Sequence, residues 1–321
     1  MHITVTAREY IFADDKPFQS CHASTLVTLP DGRIMAAWFA GSAEGRPDVD
    51  IWFSVRERDG WSPPSIAAQE AGLPHWNPVL FRDGETVLLF YKVGHAIPEW
   101  QTRIVRSADG GNSWSEPAEL VPGDRGGRGP VKNKPIVLED GTWVAPASVE
   151  GEVWDAFADL STDRGLSWMR SGIVPIDHSV LQGKGIIQPT LWTSEPGQVH
   201  MLLRSTEGYI FRSDSRDGGR TWSPAYSTGL PNNNSGIDLV KMEDGTLVLV
   251  HNPVRGNWAA RTPLVASVSR DNGVSWEQAV VLEEGEGEFS YPAVIAEGNR
   301  CRITYTWKRE RIAYCELVVD A

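Results

Sequence analysis

Short apolar runs alternate with polar positions along the whole chain, and turn residues cut them at close intervals. The segment VLFRDGETVLLFYK (79–92) shows the unit: two apolar runs joined at Asp83-Gly84, the alternation and turn chemistry of a β-hairpin. Four such runs recur within each stretch of 54 residues, because S-x-D-x-G-x-x-W appears at 107–114, 161–168, 215–222 and 269–276. A degenerate copy, SVRERDGW at 54–61, keeps the Ser and Trp but has Arg56 and Arg58 where Asp and Gly belong. The starting serines are 53, 54, 54 and 54 residues apart. A fixed period of this length is the signature of a repeat architecture, and four strands per period make a propeller blade.

A chain of 321 residues holds about six such periods, which predicts an all-β, six-bladed propeller of four-stranded antiparallel blades. Only three strand-like runs follow the fourth strand after Trp276, so residues 3–10 are predicted to complete the last blade and close the ring. No linker or low-complexity tract is left over, and residues 1–321 are read as one domain. Within the repeat, Asp and Gly suit a tight turn between the third and fourth strands, and Trp114, Trp168, Trp222 and Trp276 are predicted to be buried between blades.

A formal net charge of -12 argues against non-specific binding to nucleic acid or an anionic membrane, without excluding a local basic pocket. No apolar stretch is long enough for a helical membrane span. The opening MHITVTAREY reads as a strand, and three cysteines cannot form a full disulfide framework, so a cytoplasmic location is expected.

In a propeller of this order, the loops leading into each first strand share one axial face with those joining second to third strands. The first group brings His22, His75, Trp76, Asn77, Lys132, Lys134, Gln188, Asn234 and Tyr291 to that face. The second group brings His95, Trp100, Glu150, Trp154, Arg204 and Arg261. Cations and aromatics are concentrated there despite the acidic chain, as expected for a cavity that holds a carboxylated sugar. With the hairpin turn centred on residues 83–85, His75 is predicted to face His95, and a histidine pair suits proton transfer near neutral pH. No protein-held cofactor is expected, although the axial channel could hold a structural Ca²⁺.

The four boxes, together with PHWNPVLF, FYKVG, KNKPIVL, QPTLW, PNNNSGID, RTPL and SYPAV, resemble the sialidase-like Asp-box proteins over nearly the whole chain. The resemblance implies a six- or seven-bladed propeller and carbohydrate-active chemistry on a glycan with a carboxylated sugar. Sialidases of this kind use three arginines on the carboxylate, a Tyr–Glu pair and an Asp acid/base. Arg204 and Arg261 match two of those arginines and Tyr291 the tyrosine, while the early arginine segment is replaced by KPFQSCH at 16–22.

The expected His75–His95 pair is more similar to the branch that removes L-rhamnose capping D-glucuronate, by lyase or hydrolase chemistry. On that reading His75 and His95 move protons with Tyr291 in reserve. Lys132, Lys134, Arg204 and Arg261 hold the carboxylate, and Trp76, Asn77, Trp100, Gln188 and Asn234 line the sugar. Hydrolysis would call on Asp48, Asp50 or Glu99 as acid/base. An exo-sialidase-type hydrolase and a non-catalytic sugar-binding propeller are the alternatives.

Overall fold

The computed structural model describes residues 2–320. Six antiparallel sheets follow one another in chain order. Blade 1 is Ser20–Thr28, Ile34–Gly41 and Asp50–Glu57 with two outer pieces, Gly60–Trp61 and Ser65–Ala68. Blade 2 is His75–Asp83, Thr86–Val93, Gln101–Ser107 and Ala118–Glu119, and blade 3 is Ile136–Val137, Trp143–Glu150, Trp154–Ser161 and Met169–Arg170. Blade 4 is Ile186–Thr193, Val199–Ser205, Tyr209–Ser215 and Tyr226–Pro231, and blade 5 is Asp238–Lys241, Leu247–His251, Leu264–Ser269 and Glu277–Glu283. Blade 6 joins Phe289–Glu297, Arg300–Trp307 and Arg311–Asp320 to the N-terminal strand His2–Tyr10.

That last pairing runs from His2 opposite Asp320 to Tyr10 opposite Ala313, so the two ends of the chain share one sheet and close the ring, as the strand deficit predicts. The split outer strand of blade 1 falls where the repeat is degenerate. Both pieces pair with Asp50–Glu57, and Pro63-Pro64 lies between them, where the missing N–H groups break the ladder.

Among the described residues the core consists of six apolar clusters between neighbouring blades and a small seventh, Trp76, Trp100 and Val131, at the axial end of blades 2 and 3. Blades 1 and 2 share Phe39, Phe53, Leu89 and Tyr91, blades 3 and 4 share Val144, Leu160, Met201 and Leu203, and Phe12, Trp38, Ile312 and Tyr314 seal blade 6 against blade 1. Every sheet therefore buries both faces, and its strands read as continuous apolar runs at their centres.

The boxes tie each outer turn to the preceding blade. The Asp109 carboxylate accepts bonds from Ser107 Oγ (2.8 Å), Ser113 N (2.9 Å) and Ser113 Oγ (2.6 Å), and those from Ser113 above all hold its pKa down at about 2. Gly111 sits at φ +93°, and a Cβ there would lie 2.6 Å from Met35 Cε of blade 1. The box tryptophans do pack between blades, but only Trp222, 7% exposed, is fully buried. Trp114, Trp168 and Trp276 are half-buried, because each covers the preceding blade from the rim with one ring edge in solvent. Trp222→Ala is expected to cost about 3–5 kcal/mol in denaturant unfolding, and a loss below about 1 kcal/mol would contradict this packing.

Candidate active site

Four blades begin their innermost strand with the same irregularity. Ala23, Asn77, Gln188 and Tyr291 have φ values of +54°, +39°, +50° and +52°, and at each of them the register against the second strand slips. Such a bulge sets two residues against one and re-aims a side chain. Proline follows three of these residues, as Pro78, Pro189 and Pro292, so no backbone donor is stranded where the ladder breaks. The side chains of Asn77, Gln188 and Tyr291, with His22 beside Ala23, are delivered to one cavity of about 280 Å³. All six blades contribute to its wall, through His22 and Glu44, Trp76 and Trp100, Glu150, Gln188 and Arg204, Trp258 and Arg261, and Tyr291 and Arg309.

Arg204 organises this cavity. It is 2% exposed and has no carboxylate within ion-pair distance among the described residues. Its Nε donates to Asn234 Oδ1 (2.7 Å), and its Nη1 donates to Gln188 Oε1 (3.0 Å) and to the Tyr291 hydroxyl (2.7 Å). Asn234 is held in turn by Asn257 Oδ1 at 2.7 Å. The second terminal nitrogen, Nη2, makes no hydrogen bond to the described residues and faces the cavity. The guanidinium carbon also lies 5.6, 5.5 and 5.8 Å from the Trp154, Trp258 and Tyr291 rings, whose faces attract a cation.

Two further arginines flank it. Arg261 and Arg309 share Glu288, through Arg261 Nη1 to Oε1 at 2.7 Å and Arg309 Nε to Oε2 at 3.1 Å. Arg309 also reaches Glu44 of blade 1. Burial works against the Glu288 carboxylate, but the two guanidinium groups hold its pKa below the ordinary range. His22 packs at a tilt against Tyr291, with ring centroids 4.2 Å apart. Burial, then the charges of Arg309, Arg261, Arg204 and Lys132, drive its pKa well down and keep it neutral. Burial raises the Glu150 carboxyl against the opposing charge of Arg204, and Gln188 Nε2 donates to Glu150 at 3.3 Å.

Nine of the residues placed on the axial face from the sequence line this cavity: His22, Tyr291, Arg204, Arg261, Trp76, Asn77, Gln188, Trp100 and Glu150. Asn234 stands behind Arg204 and orients it. Lys132 lies beneath Tyr291, and its ammonium group is used up by protein acceptors. Lys134 bonds Asp238 at 2.8 Å and Leu239 O at 2.9 Å, so neither lysine is free to clamp a ligand. Among the described residues no three His, Cys, Asp or Glu side chains are placed to hold a metal.

The expected histidine pair does not form. The turn is one residue tighter than the sequence suggests, with Asp83 opposite Thr86, and the bulge at Asn77 shifts the register again, leaving His75 opposite Val93. His75 is fully buried, donating from Nδ1 to Val49 O at 2.9 Å and stacked on Tyr91. His95 lies beyond the strand end, exposed on the surface. The carboxylates considered for hydrolysis also lie off the cavity wall: Asp48 is bonded to Ser42, Asp50 is packed near His75 with its pKa pushed up to about 6 by burial and by Asp48, and Glu99 is exposed.

Glu44, Arg309 and Trp258 lie outside the predicted set, although Glu44 shares its second-to-third loop with Asp48 and Trp258 shares its own with Arg261. Loop type is legible from the repeat, but which side chain of a loop turns inward is not. His95→Ala is expected to leave turnover on a cleaved glycoside within about twofold of the parent in steady-state assays, and a hundredfold loss would restore it to the site.

A six-bladed Asp-box ring with cations and aromatics gathered on its axis defines a sialidase-like propeller. The chain belongs to the BNR repeat-like domain family, whose model matches residues 32–303. No curated protein matches it significantly. Among solved structures it is similar to a protein of unknown function from Dyadobacter fermentans, at 15% identity and TM-score 0.82, covering 99% of each chain. A Hadza microbial sialidase matches at 20% identity and TM-score 0.79, over 96% of this chain and 67% of that one. The Trypanosoma rangeli sialidase in complex with the inhibitor DANA matches at 15% identity and TM-score 0.74, over 94% of this chain and 55% of that one. At these identities the likeness is one of fold.

Proposed function

We propose that this chain is a carbohydrate-active enzyme of the glycoside hydrolase type, acting on a terminal sugar that carries a carboxylate. The observation that carries this reading is Arg204. A buried cation without an anionic partner is costly, and here the open Nη2 faces a cavity of monosaccharide size. A sugar carboxylate would supply the missing counter-charge, with Arg261 on its flank. The sialidases among the fold's neighbours support the same reading.

Tyr291 is the group placed to react. Its hydroxyl accepts a bond from Arg204, whose charge favours an oxygen gaining negative character, and a tyrosine nucleophile is one known variant of glycoside hydrolysis. Glu150, its proton affinity raised by burial, is the carboxyl suited to protonate the departing glycosidic oxygen. Gln188, an amide on the same arginine, cannot take the phenol proton, so Arg204 would stabilise the phenolate oxygen once that proton has passed to solvent through the open cavity.

Elimination from a rhamnose-capped glucuronate no longer has His75 and His95 to support it, and His22 is the imidazole the cavity offers instead. Incubation with a sialoside, a rhamnose-capped glucuronide and a neutral hexoside, following free sugar and the absorbance of a 4,5-unsaturated uronate, separates hydrolysis, elimination and binding without turnover. On whichever anionic glycoside is cleaved, Arg204→Ala is expected to lower kcat/KM about 100-fold or more, and Tyr291→Phe to lower kcat by a similar factor with KM nearly unchanged. Preference for the neutral hexoside, or full activity of Tyr291→Phe, would contradict the proposal.

A further inference from the structure

Lys132 starts in blade 3 and crosses beneath the cavity floor to the opposite side of the ring. It is 3% exposed, and its ammonium group donates to Asn133 Oδ1 (2.9 Å), to Ile237 O of the segment leading into blade 5 (3.1 Å) and to Pro292 O of blade 6. Three acceptors match three ammonium protons, so the group is saturated by protein and has none left for a ligand. No carboxylate lies within ion-pair distance of it among the described residues; the nearby Asp238 is taken by Lys134, Thr190 Oγ1 and Val294 N.

Two other observations join Lys132 to Tyr291. Its Nζ lies 6.0 Å from the Tyr291 ring centroid, and the carbonyl it binds belongs to Pro292, the next residue in the chain. Gly236 makes room for both: a Cβ there would lie 3.2 Å from Lys132 Cε and 3.3 Å from Tyr291 Cγ. Tyr291 itself sits at φ +52°, a left-handed conformation that a tyrosine keeps only when its surroundings impose it. The same bulge and positive φ recur at Ala23, Asn77 and Gln188, so the backbone shape belongs to the bulge between Ser290 and Ala293, and the lysine bond to the Pro292 carbonyl ties this one corner to blade 3.

We propose that Lys132 is the positioning residue of the axial site, a buried cation that pins the Tyr291-Pro292 corner and so aims the tyrosine hydroxyl at Arg204. This rests on the proposed role of Tyr291 in turnover, but its structural half stands without it. The corresponding cations in contact with ligand would be Arg204 and Arg261, which keep their own partners when Lys132 is removed.

The test is Lys132→Met, which keeps the length and removes the donors, with Lys132→Gln as a second variant that stays polar but is too short to reach the Pro292 carbonyl. Crystal structures of both are expected to show the Tyr291-Pro292 corner displaced and the tyrosine hydroxyl detached from Arg204. On a glycoside that the parent cleaves, both are expected to lose kcat by about tenfold or more while KM stays within about threefold. Tyr291 unmoved in the two crystal structures would overturn the proposal, as would an unchanged kcat. Should the parent cleave no anionic glycoside, the reading of function fails, and the crystal structures still decide whether Lys132 positions Tyr291. If Lys132→Met does not fold, Lys132→Gln decides alone.

Discussion

A guanidinium group taken out of water needs acceptors for its N–H donors, and the choice of acceptors decides whether its charge is compensated. Around Arg204 the acceptors are amides and a phenol: Gln188, Asn234 and Tyr291. Carboxylates in those places would neutralise the site and remove its pull on an anion. Amides satisfy geometry without cancelling charge, so the centre of the ring stays electropositive within a chain of net charge -12. The more peripheral Arg261 and Arg309 have the opposite arrangement, sharing Glu288. Charge is therefore graded from compensated at one wall to uncompensated at the floor, an arrangement that would orient a dipolar ligand as well as attract it.

Holding such a group in place needs a rigid frame, and the frame is the closed ring. Each blade is sandwiched between two others, and the clusters between them leave no sheet face to solvent. The N-terminal strand completes blade 6, so the Tyr291 strand is fixed in a full four-stranded sheet. The Asp-boxes lie at the outer turns, and none of their residues lines the axial cavity. The innermost strands carry the deviations from regular geometry, and the bulges there convert a sheet edge into inward-pointing side chains. Regularity outside and strain on the axis are two sides of one arrangement.

The ring was legible in the sequence because a repeat announces itself: four boxes at a constant period set blade number, strand order and closure. The cavity was legible in outline, since topology alone assigns Gln188, Tyr291, Arg204 and Arg261 to one face. The His75–His95 pairing was not, because register depends on a two-residue turn and on a bulge at Asn77 that no alternation pattern displays. Lys132 and Lys134 carry the residue type of a carboxylate clamp, yet burial and backbone acceptors absorb them. Glu44 and Arg309 meet across the closure of the ring, from blades 1 and 6, and a contact between residues 265 positions apart leaves no local trace in the sequence.

The central claim is that the axis recognises a carboxylate through an uncompensated buried arginine. Calorimetric titration of the parent protein with N-acetylneuraminic acid and with D-glucuronic acid, each beside its methyl ester, tests this without relying on turnover. The account predicts that at least one of the free acids binds about 100-fold more tightly than its ester, since esterification removes the charge that Arg204 lacks while leaving the sugar ring intact. Equal affinity of acid and ester for both sugars would contradict it.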